Sequence, residues 1–151
     1  MIRKRPILKV EPESEQVLDL AKLASFEVSS EDPKFPLEGL FGGGPGWRAA
    51  GEGPQTIRLN FDSPQNLSRI TLVFEEHETA RTQEFVLSWK PAGANDWREL
   101  RRQQFNFSPP GTTTEREEFQ HIPGGVSGLE IRITPSIGGG GKASLARFLV
   151  E

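Results

Sequence analysis

The stretch Phe35-Pro-Leu-Glu-Gly-Leu-Phe-Gly-Gly-Gly-Pro-Gly-Trp47 is a glycine-rich loop that ends in a single tryptophan. An alternating segment, Thr56-Ile-Arg-Leu-Asn-Phe61, follows shortly after it. Ile57, Leu59 and Phe61 fall on one face of that segment and polar residues on the other, which is the period-two pattern of a half-buried β-strand. The loop and the strand together predict a β-protein whose functional groups lie in its loops.

The same alternation recurs along the rest of the chain. The alternating segments are residues 70–75, 85–89, 129–133 and 143–150, and residues 115–122 are a further candidate. The breaks between them are turn-type clusters of proline, glycine, serine and asparagine at residues 63–66, 91–95 and 108–111. Short strands at such spacing predict an all-β fold, an antiparallel two-sheet jelly-roll sandwich of about eight strands with very little helix.

Composition excludes several classes of protein. The chain has 151 residues, no cysteine and a formal net charge of −3. That length predicts one domain, and the lack of cysteine rules out disulfides and thiolate metal sites. The charge gives no electrostatic footprint for nucleic acid, and no apolar run approaches the ~18 residues of a membrane span. We therefore expect a cytoplasmic monomer that binds neither nucleic acid nor a membrane.

The amino-terminal part differs from the rest, because a basic run is followed there by an acidic run. We predict a lead-in segment at residues 1–17 and the jelly-roll domain at residues 18–151. The stretch Ser14-Glu-Gln-Val-Leu-Asp-Leu-Ala-Lys-Leu23 fits a short helix capped by Ser14 and fits an irregular lead-in to a strand equally well.

The sequence shows no catalytic set. Residues 137–144, Ile-Gly-Gly-Gly-Gly-Lys-Ala-Ser, lack the glycine and hydroxyl spacing of a phosphate loop, so we expect a flexible loop between strands. The chain has two histidines, His77 and His121, and neither indicates a Ser-His-Asp triad, because a triad is defined by a geometry that sequence does not show. Glu75 and Glu76 are neighbours on a strand and point to opposite faces, whereas glycosidase carboxylates face one another. We expect no catalytic residues and no enzyme.

The segment Glu75-Glu-His-Glu-Thr-Ala-Arg-Thr-Gln-Glu84 is the best candidate for a site, because it joins two predicted strands and collects a histidine, an arginine and carboxylates. Sugar hydroxyls need donors and acceptors in fixed positions, often beside an aromatic face. We predict that Glu76, His77 and Arg81 bind a neutral polar ligand; the alternative is a charged hairpin loop. A stacking aromatic is expected from one of two neighbouring loops, residues 40–47 or residues 104–110.

The other aromatic residues are predicted to pack inside the sandwich. Trp47 and Trp97 are assigned to the core. Trp89 continues the inward face of its strand, so it is core as well unless a bulge exposes it as a stacking platform. Phe105 and Phe107 alternate with polar neighbours, and we expect both to be buried.

Several segments, taken in order, resemble the discoidin-like domains, also called coagulation-factor type C domains. These segments are Leu20–Glu31, Phe35–Trp47, Thr56–Phe61, Ser88–Trp97, Gly128–Pro135 and Ser144–Val150. They are similar to the family's opening strand, its acidic-glycine turn before a tryptophan, its second core strand, its serine–turn–tryptophan hairpin and its last two strands. The resemblance covers residues 18–150 and implies a galactose-binding-like jelly roll that binds sugars, lipids or proteins and is not usually catalytic.

One departure from this family concerns calcium. The family's common calcium site uses an aspartate and a threonine before the tryptophan and a glutamate in the last strand. In this chain Glu38 stands near the aspartate position, Pro45 falls near the threonine position and Arg147 replaces the glutamate. Because a hard cation needs several oxygen ligands, we expect neither a metal nor another cofactor.

Two functions follow from the resemblance. Carbohydrate-binding relatives use a histidine and an arginine from loops at one end of the barrel, which implies these roles for His77 and Arg81. We therefore predict a non-catalytic ligand-binding module whose partner is a small sugar or glycan. The alternative is a protein-interaction or scaffold module, since residues 46–53 and 56–59 resemble the amino-terminal domain of eukaryotic single-strand-break repair scaffolds, and no signal peptide is recognised.

Overall fold

The computed structural model describes residues 17–151, and nearly all the regular secondary structure in this part of the chain is strand. The helical pieces are α1 (Leu20–Leu23) and one turn of 3-10 helix (Leu37–Leu40). The strands are β1 (Ala24–Val28), β2 (Trp47–Arg48), β3 (Gln55–Gln65), β4 (Ile70–Glu75), β5 (Arg81–Pro91), β6 (Arg98–Phe107), β7 (Thr114–Phe119), β8 (Val126–Thr134), β9 (Ser144–Leu145) and β10 (Arg147–Val150).

The amino-terminal predictions are only partly covered by the described residues. The lead-in segment, apart from Val17, and the Ser14 start of the candidate helix lie outside them. Within the described part, α-helix is confined to α1, and β1 begins directly after it at Ala24. Among residues 17–151, no helix has the length and apolarity that crossing a bilayer requires.

The strands form two large antiparallel sheets and one small ribbon. The five-stranded sheet has the order β1-β3-β8-β5-β6, the three-stranded sheet has the order β10-β4-β7, and β2 pairs with β9. The two large sheets together contain eight strands, so the predicted antiparallel two-sheet sandwich of about eight strands is confirmed.

The core lies between the two large sheets and is lined by the residues that alternation selected. Ile57 and Leu59 of β3 pair with Ile131 and Leu129 of β8, and all four are about 1% exposed. Across the interior, Phe74 of β4 stacks on a β5 phenylalanine, Phe85, at 5.2 Å between ring centroids. Each fully buried side chain of this size contributes about 1.5–3 kcal/mol through removal of apolar surface from water.

Two strand predictions are wrong in detail. The turn predicted at residues 63–66 is largely strand, because β3 continues to Gln65. Pairing between β3 and β8 is irregular between Asn60 and Gln65, so Pro64 interrupts no regular ladder. The single closing strand predicted at residues 143–150 is divided into β9 and β10, which pair with β2 and β4 respectively.

The burial of the three tryptophans differs from the prediction, which placed all of them in the core. Trp47 and Trp89 are buried, as expected, at 1% and 8% exposure. Trp97 is only half-buried and does not belong to the core. It precedes β6 and rests over Gly128 of β8, where a Cβ would lie 2.8 Å from the ring atom Cη2. Because Gly128 has no side chain, the Trp97 indole can occupy the space above this position of β8.

Arg58 and Lys90 flank the Trp97 ring, each with its charged group 5.3 Å from a ring centroid.

The prediction that Phe105 and Phe107 are both buried is correct only for Phe107. Phe107 is buried at 2% exposure, whereas Phe105 is half-buried and packs on it at 4.9 Å between centroids.

Candidate functional site

A cleft of about 320 Å³ lies where the β2–β9 ribbon faces the connection between β4 and β5. Glu76, His77 and Arg81, the three residues predicted to bind a ligand, all line it. The structure therefore brings the predicted site residues together in one cleft.

The connection from β4 to β5 is not a hairpin loop. β4 belongs to the three-stranded sheet and β5 to the five-stranded sheet, so residues 76–80 cross from one sheet to the other. Glu76 organises this crossover by accepting hydrogen bonds at Oε2 from the backbone N–H groups of Glu78 and Thr79, at 3.0 and 3.2 Å. Its own N–H donates to the carbonyl of Thr113 at 2.8 Å. These bonds fix the loop that carries His77.

Arg81 is clamped in place behind the cleft. Its side chain is only 6% exposed. Its Nε donates to Glu76 Oε1 at 2.6 Å, and its Nη1 donates to Gln83 Oε1 at 3.0 Å and to the carbonyl of Pro135 at 2.6 Å. The guanidinium also lies 4.8 Å from the centroid of the Phe107 ring. Among the described residues only Nη2 of this group lacks a partner, so the arginine can offer that one nitrogen to a ligand without rearranging.

The electrostatics of Glu76 follow from this clamp. Burial opposes its ionisation, but the hydrogen bond from Arg81 and those from the backbone at Glu78 and Thr79 outweigh burial and hold the pKa of Glu76 below 4.5. Glu76 is therefore a carboxylate at neutral pH, and its charge is balanced by Arg81.

His77 is the most accessible of the predicted residues, with a side chain 64% exposed. Its Nε2 lies 3.7 Å from Oε2 of Glu75, the exposed last residue of β4. A neutral imidazole offers one donor and one acceptor, so His77 can form hydrogen bonds with a ligand at the rim of the cleft.

The opposite wall carries functional groups that sequence reasoning missed. Phe35 is half-buried and lines the cleft, and the Arg48 guanidinium lies 4.7 Å from its ring centroid. In β2 the side chain of Trp47 is buried and that of Arg48 is exposed, because neighbouring residues of a strand point to opposite faces. Lys142, just before β9, also lines this wall.

The aromatic group of the cleft is therefore Phe35, outside both loops from which a stacking residue was expected. Trp47, from the 40–47 loop, lines the cleft but is only 1% exposed, and Phe107, from the other loop, lies behind Arg81. Phe35 was visible in the sequence as the first residue of the glycine-rich stretch. The Arg48 N–H donates to the carbonyl of Phe35 at 3.0 Å, which holds Phe35 beside the β2–β9 ribbon that faces the crossover.

A buried polar group extends the site into the core. Gln83, at 0% exposure, donates from Nε2 to Oε1 of Glu115 at 3.2 Å, and Glu115 is 1% exposed. Burial raises the pKa of Glu115 to about 8, and the neighbouring carboxyl of Glu117 adds to the rise, against smaller opposing effects of Gln83 and Arg81. Nothing in the alternating segment 115–122 had marked this glutamate as buried.

The structure also shows where the three residues compared with the family's calcium ligands lie. Pro45 lines the cleft, Glu38 is an exposed residue of the 3-10 helix, and Arg147 lines a separate depression beside Phe41. Within residues 17–151 no group of three histidine or acidic side chains is placed to hold a metal ion.

Comparisons with known proteins agree with this architecture. The family 32 carbohydrate-binding module CBM32-3, from a family 31 glycoside hydrolase of Clostridium perfringens, superposes with a TM-score of 0.64 at 18% identity, covering 93% of this chain and 97% of its own. The family 32 module of C. perfringens NanJ, solved with galactose, gives 0.64 at 13% identity, covering 89% and 96%.

A third module, CpGH89CBM32-5 from C. perfringens, solved with GalNAc-β-1,3-galactose, gives a TM-score of 0.61 at 17% identity, covering 89% of this chain and 98% of its own. At these identities the similarity establishes the fold. No curated protein sequence gives a significant match. The family model of the F5/8 type C domain matches residues 25–148. The chain therefore belongs to the F5/8 type C domain family.

Proposed function

We propose that this protein is a non-catalytic carbohydrate-binding module that binds a small sugar in the cleft between the β4–β5 crossover and the β2–β9 ribbon. The observation that carries the proposal is the clamped Arg81, which is held by Glu76, Gln83 and a backbone carbonyl while Nη2 has no partner among the described residues. A donor fixed in this way loses little conformational entropy on binding.

The remaining groups of the cleft suit a sugar. Phe35 supplies apolar surface for the C–H face of a pyranose, and His77 supplies one donor and one acceptor for hydroxyl groups. Arg81 lines the same cleft, its Nη2 has no partner among the described residues, and guanidinium groups bind neighbouring oxygen atoms well.

The charge of the cleft favours a neutral ligand. Its lining contains three carboxylates, Glu75, Glu76 and Glu78, and three cations, Arg48, Arg81 and Lys142, so the net charge is zero when His77 is neutral. A strongly anionic ligand would gain little from such a balanced site. The complexes of related modules with galactose and with GalNAc-β-1,3-galactose support the choice of a sugar.

We propose binding without turnover. Glu76 is the most strongly held carboxylate of the cleft, and its two oxygens already accept hydrogen bonds from Arg81 and the crossover backbone. A general acid needs a proton to give at neutral pH, and the lowered pKa of Glu76 leaves it without one.

The experiment is a calorimetric titration of a panel of neutral mono- and disaccharides. The chain's only other histidine supplies the matched control, because His121 is exposed and does not line the cleft. We expect His77→Ala to weaken binding about 5–150-fold, the loss of one paired polar group. His121→Ala should bind as the wild type does. No binding of any sugar at about 10 mM, or equal losses in the two variants, would refute the proposal.

One observation favours the alternative, a protein-interaction module. Trp97 is half-buried on the five-stranded sheet between Arg58 and Lys90, so part of its ring is accessible. Tryptophan and arginine are enriched where protein interfaces gain most of their affinity. If the sugar panel is negative, a pull-down in which Trp97→Ala loses a partner that the His77→Ala variant retains would support this alternative.

A further inference from the structure

Behind the cleft, a chain of buried polar side chains runs from one sheet to the other. Arg81 Nη1 donates to Gln83 Oε1 at 3.0 Å, and Gln83 Nε2 donates to Glu115 Oε1 at 3.2 Å. Arg81 and Gln83 belong to β5 in the five-stranded sheet, and Glu115 belongs to β7 in the three-stranded sheet. The guanidinium of the cleft is thus connected to a carboxyl group in the interior.

The carboxyl group of Glu115 is incompletely satisfied. The residue is 1% exposed, and among residues 17–151 its Oε2 meets no donor, only the carboxyl of Glu117, to which a protonated Glu115 can donate. A buried polar atom without a partner costs about 1–3 kcal/mol, and an ionised one costs more. Glu115 therefore carries a proton near neutral pH, because burial first and the adjacent Glu117 second raise its pKa to about 8.

Few charged groups surround Glu115. From β5 come Arg81 and Gln83, and both favour its ionisation. From its own strand comes Glu117, which opposes the ionisation of Glu115. Its register partner in β4 is Phe74, which carries no charge. The group through which a change at Glu115 reaches the cleft is therefore Gln83.

We propose that Glu115 is a positioning residue of the ligand site: its protonation, relayed by Gln83, sets how tightly Arg81 is held and how strongly Arg81 can bind a ligand through Nη2. The proposal rests on the proposed function, since it concerns the affinity of the same cleft for a sugar.

The physical coupling follows from the bonds. When Glu115 is neutral, the charge of Arg81 is balanced mainly by Glu76. When Glu115 ionises, its bond from Gln83 becomes charge-assisted and stronger. The amide of Gln83 is then polarised, so that its Oε1 holds Nη1 of Arg81 more firmly. A second carboxylate also attracts the guanidinium away from the cleft.

We expect the affinity for a sugar to be higher at pH values below the Glu115 titration and to fall roughly threefold to tenfold as Glu115 ionises. Because coupling between two sites is reciprocal, a bound sugar should raise the pKa of Glu115. A residue that only supported the fold would produce neither effect.

The test begins with the unliganded wild-type protein. NMR follows the side-chain carboxyl carbon of Glu115 and the Nε resonance of Arg81 between about pH 5 and pH 10. We expect the two curves to share one midpoint. Glu115→Gln should abolish this inflection at Arg81. Glu118→Gln is the matched control and should keep it, since Glu118 is exposed on the opposite face of β7 and pairs with Arg116.

The outcomes separate the two proposals. An Arg81 signal that stays flat while Glu115 titrates, or a Glu115 carboxyl that titrates near 4.5, overturns the coupling, and the wild-type protein alone suffices to show it. A sugar that binds with the same affinity on both sides of the Glu115 titration overturns the regulatory role. If no sugar binds but Arg81 follows Glu115, the carbohydrate function fails and the positioning of Arg81 by Glu115 stands.

Discussion

At the scale of single residues, two tryptophans that look alike in the sequence have different environments. Trp47 is 1% exposed and donates from Nε1 to the carbonyl of Ser30 at 3.1 Å. Trp97 is half-buried over Gly128. We expect Trp47→Ala to lower the free energy of unfolding by ~3–5 kcal/mol, and Trp97→Ala to lower it by no more than about 2 kcal/mol. Urea unfolding measures both, and equal losses would contradict the assigned environments.

Glu115 predicts how stability depends on pH. Its pKa is about 8 in the folded protein against an ordinary value of 4.5. Between these values the unfolded chain has lost the proton that the folded chain retains. Stability therefore falls as pH rises through this window, by up to about 1.4 kcal/mol per pH unit, and levels off above the folded-state value. At pH 5 the folded and unfolded states bind the Glu115 proton more nearly equally, so the titration of Glu115 lowers the free energy of unfolding least there.

The variant Glu115→Gln isolates this contribution. It has no proton to lose, so its stability relative to wild type should increase steadily from pH 5 to about pH 8. Urea midpoints of the two proteins at several pH values provide the measurement, with Glu118→Gln as the exposed control. A constant difference between wild type and Glu115→Gln across this range would mean that Glu115 titrates normally in the folded state.

At the scale of elements, the two-residue strand β2 depends on the glycine that precedes it. Gly46 has φ +96°, and a Cβ there would lie 2.7 Å from the carbonyl oxygen of Leu145 and 2.9 Å from the Cα of Ala146. Gly43 also has a positive φ, +77°, but a Cβ there meets nothing within 4 Å. Both glycines belong to the stretch before Trp47, and only Gly46 packs against β9.

This pair of glycines separates backbone strain from close packing. We expect Gly43→Ala to cost about 1–2 kcal/mol from the left-handed conformation alone. Gly46→Ala should cost clearly more, roughly 3 kcal/mol or above, because rigid backbone must also shift. Since β2 and β9 form one wall of the cleft, Gly46→Ala should weaken ligand binding as well. Thermal unfolding compares the two, and a Gly46 variant no less stable than the Gly43 variant would disprove the close approach.

The crossover between β4 and β5 shows which features of a strand follow from its own sequence and which follow from its pairing with other strands. Alternation identified both strands, because each side chain's face depends only on its own position in the strand. Their membership of different sheets depends on distant pairing with β10, β7, β8 and β6. That pairing turns a supposed hairpin into a passage between sheets, with Arg81 at its end and Glu76 as its anchor.

At the scale of the whole molecule, the sequence predicted those features that depend on the local pattern of apolar and polar residues. The two-sheet sandwich and the burial of Ile57 and Ile131 follow from period two. The chemistry of one segment singled out Glu76, His77 and Arg81, and their binding of a ligand stays a prediction. The positions of Phe35 and Glu115 did not follow from local pattern. Phe35 is held on the cleft wall by the hydrogen bond from the Arg48 N–H, next to the pairing of β2 with the distant β9. Glu115 looks like any glutamate of a charged strand until the two sheets close over it.

The last prediction concerns calcium. Pro45 has no side-chain oxygen, and Arg147 brings a positive charge where the family uses a glutamate, so a hard cation would lack both ligands and charge balance. A ligand that binds only the folded state raises stability by mass action, and we expect about 5 mM calcium to leave the melting temperature unchanged. A rise in the wild-type protein that EDTA reverses would show that other oxygens of this chain bind the ion.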